Sequence, residues 1–282
     1  MSSAPADHCS QLNDHEPLAG SALTDERILI LEQPGAWGRD AVNDSALEPK
    51  IWRDVGPCRV LLARHPDRTR PSQNRHWWTL QVRDSAIVGQ HGQINWSKTL
   101  TDRVWSLTSH IAPIGSVFVC TNGKRDKCCA EFGRRLLKKF RGEPRLWEVS
   151  HLGGHRFAPT ALAFPSGLMC GKLEETDLTE LLNGETPARG VIRGRIGRSA
   201  TRQVAEIEAA EQLRVPLFRI SSHDTSENLA AGNETTTSVI ISADTDGEPL
   251  TTSVALALRG GPPRPKSCGK PPDSAEYWLP IN

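Results

Sequence analysis

The chain has 282 residues, 37% of them hydrophobic and 24% charged, with a formal net charge of +1. That length accommodates one large domain or two modest ones with a real core. The near-neutral balance excludes a general electrostatic pull toward nucleic acid or membrane, and the longest apolar runs, such as "SVFVC" and "ALAF", are strand-sized and far short of a membrane span.

The first thirty residues lack the apolar stretch of a secretory signal, so the expected compartment is the cytoplasm. Residues 1–20 are polar and read as a flexible tail. An N-terminal α/β segment over 21–110 follows. "RILILEQ" (27–33) reads as a buried strand and "PGAWGRD" as a turn built on Pro34 and Gly35. Trp37 and Arg39 come just after that turn; they could cover a site, but core packing explains a tryptophan equally well. "RVLLAR" (59–64) and "WWTLQVRD" (77–84) read as further strands, and a short helix is expected around 99–110.

Over 111–184 the pattern sharpens. "SVFVCT" reads as a strand, and Asp126 is a suitable N-cap for a helix through "KCCAEFGRRLLKKF". "RLWEVS" is a second strand ending at His151. "ALAF", the turn "PSG" and "LMCGKL" predict a hairpin, and "EETDLTELL" a helix. This order suits a thioredoxin-like α/β layer. A C-terminal α/β extension covers 185–282. It opens with "ARGVIRGRIGRSA", whose Arg189, Arg193, Arg195 and Arg198 read as an exposed loop rather than a nucleic-acid site, because no stacking aromatics accompany them. An amphipathic helix carrying Ala200, Val204, Ile207 and Ala210 follows. "PLFRISS", "TTTSVIIS" and "TTSVALAL" read as strands, and the proline-rich "GGPPRPKSCGKPP" as an extended surface tail.

Seven cysteines, an odd number, are scattered at positions 9, 58, 120, 128, 129, 170 and 268. In a reducing compartment, clustered cysteines are ligands or redox groups more often than a disulfide framework. Cys120 closes a strand, Cys129 lies in the first turn of the next helix, His151 closes the following strand, and His155 lies one loop further on. Adjacent parallel strands present their C-terminal ends at one sheet edge, so these four can converge there. Gly153 and Gly154 allow a tight turn between the histidines. Helical periodicity groups Cys129 with Phe132, Leu136 and Phe140, and Cys128 with Arg135 and Lys139, so Cys129 is the preferred inward-facing ligand and Cys128 the fallback. Cys9, Cys58 and Cys170 read as structural. Two thiolates and two imidazoles suit zinc or a 2Fe–2S cluster, and spacing alone leaves both open.

The residues "CTNGKRDKCC", "WEVSHLGGHRFAPTALAFPSG" and "CGK" resemble the sucrase/ferredoxin-like family of thioredoxin-like 2Fe–2S ferredoxins. The resemblance is specific over about 116–173, with weaker echoes in "LEQPGAWGRDA" and "KSCGKPP". It implies a 2Fe–2S cluster held by Cys120, Cys129, His151 and His155, with the cysteines on one iron and the histidines on the other. No catalytic nucleophile or acid–base pair stands out, so the expected function is one-electron transfer to an unidentified redox partner protein, with no nucleic-acid or membrane partner. The alternatives are a zinc-stabilised structural domain and a cluster-dependent reductase of a small substrate. The basic runs "GKRDK" and "RRLLKKFR" flank the site and read first as a solvated face.

Overall fold

The apolar runs pair into an α/β fold with two sheets. The computed structural model describes residues 8–281, apart from 14, 68–72, 107–114, 222–225, 232–233 and 246. After a four-residue helix α1 (Cys9–Leu12), the first nine strands are β1 (Arg27–Glu32), β2 (Arg59–Arg64), β3 (Asn74–Arg83), β4 (Ala86–Asn95), β5 (Ser116–Cys120), β6 (Leu146–Val149), β7 (Ala161–Phe164), β8 (Leu168–Cys170) and β9 (Ile192–Arg195). They form a sheet in the order β4-β3-β1-β2-β6-β5-β7-β8-β9. This sheet draws on the segments 21–110, 111–184 and 185–282 alike, so the three share one layer.

Within it, β5 and β6 run parallel, with Cys120 in register with Val149. Their crossover is helical from 127 to 140, comprising the π-helical turn Cys129–Gly133, α2 (Arg134–Leu137) and a closing turn Lys138–Phe140. β7 pairs antiparallel with β5 and with β8, the predicted hairpin. The next helix, α3 (Glu175–Leu182), is closed by a capping box between Glu174 and Asp177.

The second sheet is antiparallel. Its strands are β10 (Ile220–Ser221), β11 (Ser226–Ala231), β12 (Glu234–Ala243), β13 (Leu250–Pro265) and β14 (Pro272–Pro280), ordered β10-β12-β13-β14 with β11 on β12. Helix α4 (Ala200–Leu213) joins the sheets: its Val204, Ala205, Ile207 and Ala209 share one core with Leu168 and Ile192 of the first sheet and Ile241 and Leu256 of the second. No helix among the described residues is long and apolar enough to cross a membrane.

Several expectations are corrected. The opening segment is not a loose tail over its described part, because Cys9 is fully buried and α1 packs near the helical crossover. β4 escaped the sequence reading because Gly89 and Gly92 weaken a strand pattern. Both are required here, since a Cβ at Gly92 would sit 2.5 Å from the Trp77 ring and one at Gly89 2.5 Å from Pro165. The helix expected around 99–110 is a single 3-10 turn at Asp102–Trp105, and the rest of that span lies outside the described residues from 107 on. "PLFRISS" is mostly a turn, Leu217–Arg219, leading to the two-residue β10.

The arginine-rich stretch is not an exposed loop. Arg193, Arg195 and Arg198 are buried on or just beyond β9, and only Arg189 stays on the surface, paired with Glu208 and Glu211. The proline-rich tail is extended, but as the paired end of β13 and the start of β14. Its tip, at Cys268, folds back onto the core.

Candidate metal centre

The parallel β5–β6 pair sets the position of the site. Cys120 is the last residue of β5, and His151 lies two residues beyond the end of β6, at the same sheet edge. After Cys120 the chain is pinned: the Thr121 hydroxyl donates to Glu148 at 2.8 Å, and the Asn122 amide to the Gly38 carbonyl at 3.2 Å. Asp126 then accepts the backbone N–H of Cys128 at 2.9 Å, starting the helix as an N-cap carboxylate does. Gly133 lets this helix press on the strand end, because a Cβ there would lie 2.3 Å from the Cys120 carbonyl oxygen. The result is Cys129 beside Cys120, both almost fully buried.

On the other side, Gly153 and Gly154 both adopt left-handed backbone, with φ of 72° and 65°. They turn the chain so that His155, opening the short turn His155–Phe157, stacks on His151 with ring centroids 4.9 Å apart and planes at 30°. Behind this turn lies the buried Arg193, whose guanidinium donates to the Gly153 carbonyl at 3.1 Å and to the Ser21 hydroxyl at 3.0 Å. A Cβ on Gly154 would meet that guanidinium at 2.6 Å. The glycine pair therefore serves close packing on a cation as well as the turn.

The ligand atoms of Cys120, Cys129 and His151 lie within 4.8 Å of one another. His155 is outside that group and joins it through the stack on His151; its Nε2 stands 3.9 Å from Asp126 Oδ2. The Cys120 thiol is held well below its ordinary range, first by the hydrogen bond from Cys129 and then, against the opposing effect of burial, by His151. Cys129 is raised by the same bond and by its own burial. Burial lowers His155 below its ordinary range, against the opposing pull of the Asp126 carboxylate. Nδ1 of His151 and Nδ1 of His155 are both buried with no hydrogen-bond partner. Buried polar atoms are nearly always satisfied, and a metal ion is a partner that would satisfy these two nitrogens. The donor set fits zinc or an iron–sulfur cluster.

A second group escaped the sequence reading. Cys9, Asp126, Cys128 and Cys268 also gather with ligand atoms within 4.8 Å. The Cys128 thiol is lowered to about 5, chiefly by its hydrogen bond with Cys9. Cys128 therefore does not face solvent with Arg135 and Lys139, as helical phase alone predicts. It lies against the two chain ends, with Phe132 packed on the same cluster. No sequence signal links Cys9 to Cys268, which stand in polar and proline-rich stretches at opposite ends. Cys170 and Trp37 are packing residues: Cys170 lies in the main core, and Trp37 sits in another cluster with Leu29 and Leu31, with the Arg64 guanidinium 4.1 Å over its ring.

A family model described as Sucrase/ferredoxin-like matches residues 18–198. The match contains Cys120, Cys129, His151 and His155 and excludes Cys9 and Cys268. No curated protein and no solved structure matches.

Proposed function

The chain belongs to the sucrase/ferredoxin-like family, and from that footing we propose that it is a one-electron carrier whose 2Fe–2S cluster is held by Cys120, Cys129, His151 and His155. The observation that carries this reading is the gathering of the Cys120, Cys129 and His151 ligand atoms within 4.8 Å, together with the buried, unpartnered Nδ1 atoms of His151 and of the His155 stacked on it. Bound there, the cluster would supply a centre that accepts and returns one electron.

The chain's own residues give that centre its character. With the cluster bound, Cys120 and Cys129 would both be thiolates and would supply two negative charges from a buried position. His151 and His155 supply neutral nitrogens where an all-cysteine site would place two more thiolates. With less negative charge at the centre, reduction is easier, and the potential is expected above the roughly −400 mV of plant-type ferredoxins. His155 Nε2 faces the buried Asp126 carboxylate, the kind of partner that orients a metal-bound imidazole. Lys124 and Arg125, in the turn after Cys120, and Lys127, at the start of the helix, are exposed. That positive edge supports docking of an acidic redox partner, with salt-sensitive association.

The test is the isolated protein itself. Purified without oxygen, it is expected to be red-brown and to carry about two irons per chain. A colourless protein holding zinc at Cys120, Cys129, His151 and His155 would overturn the reading in favour of a zinc-stabilised domain. A second reading, a cluster-dependent reductase of a small substrate, is favoured by a cavity of about 880 Å³ beside the histidine loop, lined in part by Gly153, Gly154, Arg156, Arg193 and Tyr277.

A further inference from the structure

Cys9, Cys128 and Cys268 stand apart from the residues assigned to the cluster, yet they approach one another closely. Cys128 Sγ lies 3.1 Å from Cys268 Sγ and 3.6 Å from Cys9 Sγ, and Cys268 and Cys9 are 3.5 Å apart. A disulfide would draw two of them to about 2.05 Å and leave the third aside. Three near-equal separations describe instead one face of a tetrahedron. Thiolates on zinc at about 2.3 Å are spaced by about 3.8 Å, so an outward shift of less than about 1 Å places all three on one ion.

The fourth corner is Asp126. Its side chain is fully buried, and its Oδ1 lies 3.2 Å from Cys268 Sγ and 4.0 Å from Cys9 Sγ. Its Oδ2 accepts from the Cys268 backbone N–H and the Ser267 hydroxyl, both at 2.9 Å. Together with the Cys128 backbone N–H, which Oδ1 accepts at 2.9 Å, those bonds hold the carboxylate against the trio, with Oδ1 beside Cys268 and Oδ2 3.9 Å from Cys9 Sγ, as outer partners hold a ligating group.

We propose that Cys9, Cys128, Cys268 and Asp126 form a second metal site that takes one zinc ion and fastens both ends of the chain beside the Cys120–His155 centre. Soft thiolates select zinc over magnesium or calcium, and four protein donors with no open position make the site structural. The role has a physical need. A helix of four residues such as α1 has no stability of its own, and the hairpin tip at Cys268 is 140 residues from Cys128 in sequence. A metal bridge closes such long loops where short-range bonding cannot. Asp126 borders both sites, so the zinc would also hold the carboxylate that faces His155.

The experiment uses the full chain, produced with zinc and iron both supplied, and measures each metal per chain. The wild type is expected to hold about one zinc beyond its iron. Cys9→Ser and Cys268→Ser should fall to near none, with iron unchanged. A second readout does not depend on how the variants fold. Cobalt(II) exchanged into the wild type should give thiolate charge-transfer and tetrahedral ligand-field bands, with Cys9, Cys128 and Cys268 protected from alkylation. Zinc that persists in an iron-free protein, and is lost in Cys268→Ser, sustains this site while overturning the electron-transfer reading. Zinc equal in wild type and both variants, or a disulfide within the trio in protein kept anaerobic, would overturn it.

Discussion

Cys129→Ser is expected to leave the protein nearly free of iron, down from about two per chain, whereas Cys128→Ser keeps the iron and its colour. The two thiols are neighbours in sequence and are both buried, so exposure does not separate them. Their surroundings do. Cys129 shares a cluster with Cys120, Val149 and Leu152, and its sulfur is within 4.8 Å of the Cys120 and His151 donors. Cys128 points the other way, into the group with Cys9 and Cys268. The π-helical turn Cys129–Gly133 and the contact of Gly133 with the Cys120 carbonyl hold that phase in place. Serine at 129 replaces a thiolate by a hydroxyl that stays protonated near neutral pH, so one corner of the site is lost. Iron analysis and visible spectra of the two variants decide it. Iron lost from Cys128→Ser and retained in Cys129→Ser would reverse the assignment.

The parts of this protein that were legible in its sequence are those governed by local pattern. The runs at 27–33, 59–64 and 116–120, the hairpin at 161–170 and the helix at 200–213 follow from apolar periodicity and turn chemistry. The convergence of Cys120 and His151 follows from one further inference, that β5 and β6 are parallel. What was not legible depends on partners remote in the chain. Cys9 and Cys268 are 259 residues apart and meet only because the β13–β14 hairpin folds back. β4 was hidden by glycines whose reason is the Trp77 ring and Pro165. Arginine is almost never fully buried unless paired, and the pairing of Arg195 and Arg198 with Glu206 cannot be seen from their own stretch of sequence.

That pairing carries the second large effect. Glu206→Gln is expected to destabilise the fold by about 3–5 kcal/mol, the usual cost of removing one partner from a buried ion pair. Glu206 is 1% exposed and accepts from Arg195 at 2.8 Å, Arg198 at 3.1 Å and Arg202 at 3.3 Å. Burial already disfavours the charge on Arg198, and glutamine keeps the shape of Glu206 while withdrawing the carboxylate that all three guanidiniums share. The carboxylate is also a junction. Arg198 reaches on to the Ser85 carbonyl in the β3–β4 turn, and Arg195 to the Ile220 carbonyl at the start of the second sheet. Arg195 belongs to β9, the strand that also carries the Arg193 brace beneath Gly153 and Gly154. Loss at Glu206 therefore loosens the strand that supports the histidine loop. The contrast is Glu211→Gln, which breaks a pair with Arg189 on the surface, 61% and 49% exposed, and should cost no more than about 1 kcal/mol. Urea unfolding of both variants measures the difference: Glu206→Gln should shift the midpoint strongly and Glu211→Gln barely. Equal midpoints would mean that other groups neutralise the three arginines and that β9 does not depend on Glu206.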